Sequence, residues 1–211
     1  MSVRRVSVPA ERLARWLDGF TERHGATVTE SDAAELRLTG ADGARAWLEV
    51  PFPPLPAAAS DADPREVIVA HASRPRTIGV LLVRRRAHAV GVFVGGDLVA
   101  SKVDSAYVQG STRAGGWSQQ RYARRRANQA MAAFADAADT AARILLPHAA
   151  QLDAVICGGD RTAIAAVLAD ARLRPLAGLR GGPFLSVPDP RLPILQATPE
   201  QFRAVHVSLL P

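Results

Sequence analysis

The sequence predicts an α/β protein, a mixed sheet with flanking helices joined to a small N-terminal α/β subdomain. Three observations lead there. In the second part of the chain, strand-like apolar runs alternate with helical patterns, which lays helices on a sheet. Between Ala127 and Leu145 apolar residues recur every three or four positions, marking a helix with one core-facing stripe. A proline-rich stretch from Pro51 to Glu66, unsuited to a helix interior or a central strand, sets this region apart and reads as an interdomain linker. The expected division is residues 1–60, the subdomain with its linker, and residues 61–211, a larger domain.

The elements follow in order. After Pro9, residues 9–24 place Leu13, Trp16, Leu17 and Phe20 at helical spacing, with Gly25 as a stop. "ATVTE", "AELRLTG" and "ARAWLEV" alternate as short strands. Past the linker, "VIVAH", "TIGVLLVRR" and "AHAVGVFVGGDLVASKV" read as strands, the last a hairpin about Gly95, Gly96 and Asp97. The long helix carries Ala127, Ala130, Met131, Phe134, Ala138, Ala141 and Leu145 on its stripe. Its first turns, Ser118 to Arg126, are polar on nearly every side and are expected to project from the body. "LDAVICGG" predicts a buried strand, and "DRTAIAAVLADARL" a helix capped by Asp160 and ended by Pro175. "GPFLSVPD" and "FRAVHVSLL" each predict a short strand.

Composition narrows the partners. A chain of 211 residues with 48% hydrophobic and 22% charged residues can bury a core, which argues against large-scale disorder. The net charge is +6, and Lys102 is the only lysine, so arginine supplies nearly all the cations. Arginine's planar fork suits phosphate. A codon bias would explain the choice of arginine over lysine, but not where the arginines sit. Cys157 is the only cysteine, so no intrachain disulfide can form and a cytoplasmic location is expected. "MSVRRVSVPAERL" lacks the apolar run of a secretory signal, and no stretch approaches the ~18 apolar residues of a membrane span, so no membrane partner is expected.

The chemistry concentrates in "RAGGWSQQRYARRR", which opens at Arg113. Between Asp104 and Asp136 there is no acidic residue, while Arg113, Arg121, Arg124, Arg125 and Arg126 all fall inside. A solvated helix face mixes signs, so a one-signed segment points to a polyanion, with nucleic acid first and a merely solvated helix end as the alternative. Gly115 and Gly116 allow a close backbone approach to another surface. Gln119 and Gln120 cannot serve as general bases, but an amide donates and accepts hydrogen bonds together and can orient a water beside an ester carbonyl. Trp117 can stack on a base or pack the loop against its own helix.

Other residues read more plainly. His24, His71, His88, His148 and His206 are scattered without metal-ligand spacing, and neither metal nor cofactor is expected. "GGDR", residues 158–161, could hold a phosphate at a helix start, yet lacks the glycine spacing of known phosphate loops and reads better as a strand-to-helix turn. Cys157 reads as a buried thiol. Asp97, Asp104, Asp153 and Asp160 could form a nuclease-like cluster that would require Mg²⁺.

The segment "RAGGWSQQRYARRR" resembles the Gly-Gly-Gln loop and basic helix of the middle domain of archaeal and eukaryotic class-1 release factors. It is more similar still to the actinobacterial branch of the Vms-like release factors. The likeness is sharp over these residues, and the strand order and "VICGGDR" agree loosely over 66–211. It implies a release-factor-like catalytic domain at 61–211. The implied activity is peptidyl-tRNA hydrolysis on stalled large ribosomal subunits, with rRNA and peptidyl-tRNA as partners and the protein a monomer. In the release factors glutamine directly follows the glycine pair, whereas Trp117 holds that place here. The family's Ser-Gln pair, matched by Ser118 and Gln119, implies Gln119 as the catalytic amide, with Gln120 as the alternative. A ribosome-binding factor whose loop only docks is the second reading.

Overall fold

The computed structural model describes residues 3–57, 62–85, 87–105 and 118–210, and for residues 105 and 118–128 the backbone course alone. The chain forms two compact units, residues 1–75 with 199–211, and residues 76–198.

The first unit is built on five strands: β1 (Arg4–Val8), β2 (Thr27–Ser31), β3 (Glu35–Gly40), β4 (Arg45–Glu49) and β9 (Val205–Leu210). They pair antiparallel in the order β1-β9-β4-β3-β2. Period-2 alternation sends Leu36, Leu38, Ala46, Leu48, Val205 and Val207 into one core. Helices α1 (Leu13–His24) and α2 (Pro64–Ser73) close that core with Leu13, Leu17, Phe20, Ile68 and Ala72.

Two expectations are corrected here. "VIVAH" lies within α2 and is not a strand. Asp63 caps this helix, its carboxylate accepting from the Arg65 amide at 2.8 Å, and Pro64 occupies a first-turn position that needs no N–H. These start signals, with Ile68 and Ala72 buried four residues apart, outweigh the strand preference of Val67, Ile68 and Val69. The proline-rich stretch is not a linker between the units either. Val50 N donates to Ala34 O at 2.8 Å and Leu55 N to Ala33 O at 2.7 Å, and the Phe52 ring stands edge-on to Phe202 with centroids 6.4 Å apart. The division therefore falls after Pro75, not at residue 60, and "FRAVHVSLL" returns to the N-terminal sheet between β1 and β4.

The second unit holds β5 (Thr77–Arg84), β6 (Ala87–Val94), β7 (Asp97–Ser105) and β8 (Ala154–Gly159), in the order β7-β6-β5-β8. β8 runs parallel to β5 and the other pairs are antiparallel, so the sheet is mixed. β5 and β6 are buried almost throughout, as strands covered on both faces must be. On one face, α3 (Ser118–Leu145) and α4 (Arg161–Leu168) bring Ala137, Ala138, Ala141, Leu145, Ile164 and Val167 against Leu81, Val83, Val90, Val92 and Val155. On the other lies α5 (Leu192–Gln196), with Leu195 over Gly91.

Three details here differ from expectation. Met131 is 69% exposed, so the buried stripe of α3 begins further along, near Phe134. Pro175 does not end α4; the helix stops at Leu168, and Asp170 caps a separate 3-10 stretch, Ala171–Leu179, that contains Pro175. "GPFLSVPD", residues 182–189, forms one isolated bridge, Leu185 to Gly158, and no strand. Among the described residues no helix is long and apolar enough to cross a membrane.

Gly159 ends β8 at φ 97°, where a Cβ would run into the Val83 carbonyl. Gly159→Ala should therefore cost about 2 kcal/mol or more, read as a lowered thermal midpoint. An unchanged midpoint would show that the turn relaxes without strain.

Candidate functional site

The path of α3 sets the geometry. Its Thr140 lies beside His88, near the start of β6, and its Leu145 approaches Gly79, which pairs with Val92 further along that strand. The helix thus runs along β6 in the strand's own direction, and its N-terminal part leaves over the sheet end formed by Arg84, Ala87 and Gly159. From Thr140 back to Ser118 a helix rises roughly 33 Å at ~1.5 Å per residue. The first turns accordingly extend well past the sheet, as their polarity suggests.

Gln119, Gln120, Arg121, Arg124, Arg125 and Arg126 all fall on this extension. Arg113, Gly115, Gly116 and Trp117 lie outside the described residues. Ser118, Gln119 and Gln120 belong to the helix itself, whose first turns begin at Ser118 as the sequence suggests. No glycine or proline interrupts the sequence from Ser118 to Leu145, so nothing local stops helix propagation. In any helix the N–H groups of the first turn have no intrahelical acceptor.

Below the extension lies a cleft of about 300 Å³ whose lining includes His88, Asp104, Asp136, Thr140 and Arg143. His88 is buried, and its Nε2 shares a 3.0 Å hydrogen bond with Thr140 Oγ1 that ties α3 to β6. Burial pushes the His88 pKa below its ordinary value; Asp104 and Asp136 oppose this, while Lys102 and Arg143 reinforce it. The sequence reading passed over this pair, although a histidine inside the apolar run "AHAVGVFV" was its signal. A depressed pKa favours the neutral ring, so its contribution to stability is complete above about pH 6.5 and is lost as the pH falls through the lower folded-state value. Chemical denaturation at pH 7.5 and pH 5 should show that loss, and His88→Gln should reduce it. An equal pH dependence in the variant would assign the effect to other groups.

The remaining candidates resolve structurally. Within "GGDR", Gly159 N donates to Leu185 O at 3.0 Å and Asp160 N to Val83 O at 2.8 Å, and the Asp160 carboxylate itself accepts from Thr162 N at 2.8 Å and Ala163 N at 3.0 Å, so the turn and the helix start are satisfied by the chain's own acceptors. The Cys157 thiol is buried, which raises its pKa. The four aspartates do not converge. Asp97 and Asp153 lie at the Thr77 end of the sheet, and Asp104 and Asp160 at the opposite end on its two outer strands. With strands ~4.8 Å apart, that last pair is separated by about 14 Å.

Charge is divided unevenly between the units. Residues 76–198 hold 16 Arg and Lys against 8 Asp and no Glu, whereas the other unit holds 10 against 12 acidic residues. The cationic excess therefore belongs wholly to the unit that carries α3.

Among solved structures, the archaeal translation termination factor aRF1 is 16% identical, with 95% of this chain and 66% of that chain covered at a TM-score of 0.46. The Vms1 mitochondrial localization core is 10% identical, with 96% of this chain and 82% of that chain covered at a TM-score of 0.44. The chain thus spans just under two thirds of the archaeal factor's length. No curated protein matches the sequence. The model of the Actinobacteria/chloroflexi VLRF1 release factor family matches residues 76–208. That match takes in the whole second unit and most of β9, well over half of the chain, and the protein belongs to this release factor family.

Proposed function

We propose that the protein is a cytoplasmic peptidyl-tRNA hydrolase that acts on stalled large ribosomal subunits as a monomer. Its family gives it a translation-related role. The observation that carries the finer reading is the placement of two amides and an acid-free arginine run at the head of a helix that runs roughly 24 Å beyond Phe134, the first of its residues packed on the core. Such an extension suits insertion into a narrow site whose walls are RNA. Gln119, or Gln120 in its place, holds a water against the ester that joins the peptide to the tRNA ribose. The water's oxygen attacks the carbonyl carbon, and collapse of the tetrahedral intermediate breaks the bond to the ribose oxygen, which leaves with a proton. Free N–H groups in the first turn of α3 face the developing oxyanion. Arg113, Arg121, Arg124, Arg125 and Arg126 bind RNA phosphates, Trp117 stacks on a base, and Gly115 and Gly116 let the backbone approach.

The docking reading draws on one specific feature, the tryptophan at the position directly after the glycine pair. Release of labelled peptide from peptidyl-tRNA on isolated large subunits separates the two. The hydrolase reading expects release upon addition of the protein. Stable binding without release would leave the docking factor.

A further inference from the structure

The sheet end from which α3 departs carries cations of its own. Arg84 closes β5, Arg85 follows it, and Arg161 opens α4 just after Gly159, whose partner in β5 is Val83. β5 and β8 are adjacent, so these side chains start from neighbouring strand ends about 5 Å apart. The carboxylates beside them are occupied. Asp160 caps α4, and Asp189 stands 3.8 Å from Arg84, whose Nη1 donates to Val187 O at 2.7 Å. Arg85 and Arg161 are exposed, and neither has an ion-pair partner among the described residues. The Arg161 guanidinium lies 4.1 Å from the centroid of the Phe184 ring, which holds the cation in place with its edges open to further hydrogen bonds.

We infer that Arg85 and Arg161 form a second phosphate-binding site for RNA, separate from the arginines of the extended helix and reached by the same RNA body. This rests on the proposed function for its partner, and extends the footprint from the helix head to the sheet end below it. Two observations favour RNA over an acidic protein. All of the protein's excess positive charge lies in this unit, and one of the two guanidinium groups is fixed as a flat plate by an aromatic ring. A short ligand could engage the helix head or the sheet end, but a large folded RNA engages both.

The test uses the full chain and isolated large ribosomal subunits, with binding measured over a range of salt. Arg85→Gln with Arg161→Gln should weaken binding about 10-fold and make the log-log salt dependence shallower by about 1.5 to 2. Arg12→Gln with Arg15→Gln, two exposed arginines of the other unit, should leave both unchanged and controls for net charge. Thermal midpoints check folding; if the double variant is unstable, Arg85→Gln with Arg161→Lys, which keeps the charge, replaces it and should shift the slope by about half as much. Wild-type affinity and slope in the variant would overturn the inference, as would displacement of the protein from subunits by polyglutamate but not by polyuridylate. Arg85- and Arg161-dependent binding without peptide release would sink the hydrolase reading and leave this site standing. Normal release with binding indifferent to both arginines would do the reverse. If the wild type does not bind large subunits, both fall.

Discussion

Gln119→Ala is expected to slow peptide release from peptidyl-tRNA about 100-fold while binding to the large subunit stays nearly unchanged. An amide that orients water contributes through position, and a displacement of ~1 Å in such a group costs roughly that factor. Binding survives because it rests on arginines. Gln120→Ala is the decisive companion, since the adjacent glutamine offers the same amide chemistry. Loss of release only in the Gln120 variant would move the catalytic role by one residue and keep the mechanism. Full activity in the double variant would remove both amides from the chemistry.

The second large effect is expected at the arginines of the extension. Arg124→Glu with Arg125→Glu should weaken subunit binding by about 10- to 100-fold and flatten its salt dependence, because each lost phosphate contact removes close to one unit of slope. Both residues precede the buried stripe of α3, so the thermal midpoint should change by no more than a surface substitution allows, about 0.5 kcal/mol in stability. A large fall in midpoint with retained binding would make these arginines part of the fold.

What the sequence disclosed, and what it did not, follows from the range of each signal. Strands such as "TIGVLLVRR", the hairpin at Gly95 and the cap at Asp160 depend on neighbours in sequence, and all appear where expected. The polar head of α3 was legible too, because an apolar stripe that fails at one end has nothing there to pack against. α2 was misread because three consecutive β-branched residues resemble a strand, while the opposing Asp63-Pro64 start signal occupies two positions. The place of β9 was not legible at all. Alternation reports that a strand is half-buried and is silent about which sheet receives it. At the candidate site, residue types were readable but not their register, since glycine, serine and two glutamines in a row fit more than one helix start.

The return of β9 to a sheet begun some 200 residues earlier also orders events in time. Residues 76–198 are contiguous, so they can complete their sheet as soon as they are synthesised, whereas β1 has β9 as its pairing partner and must wait for residues 205–210. The unit that starts first is therefore finished last, a reversal of the usual N-to-C succession of folding during synthesis. Until then the edge of β4 stays unpaired, and the nascent protein passes through an interval in which its basic half is native and its N-terminal half is open to association with other strands.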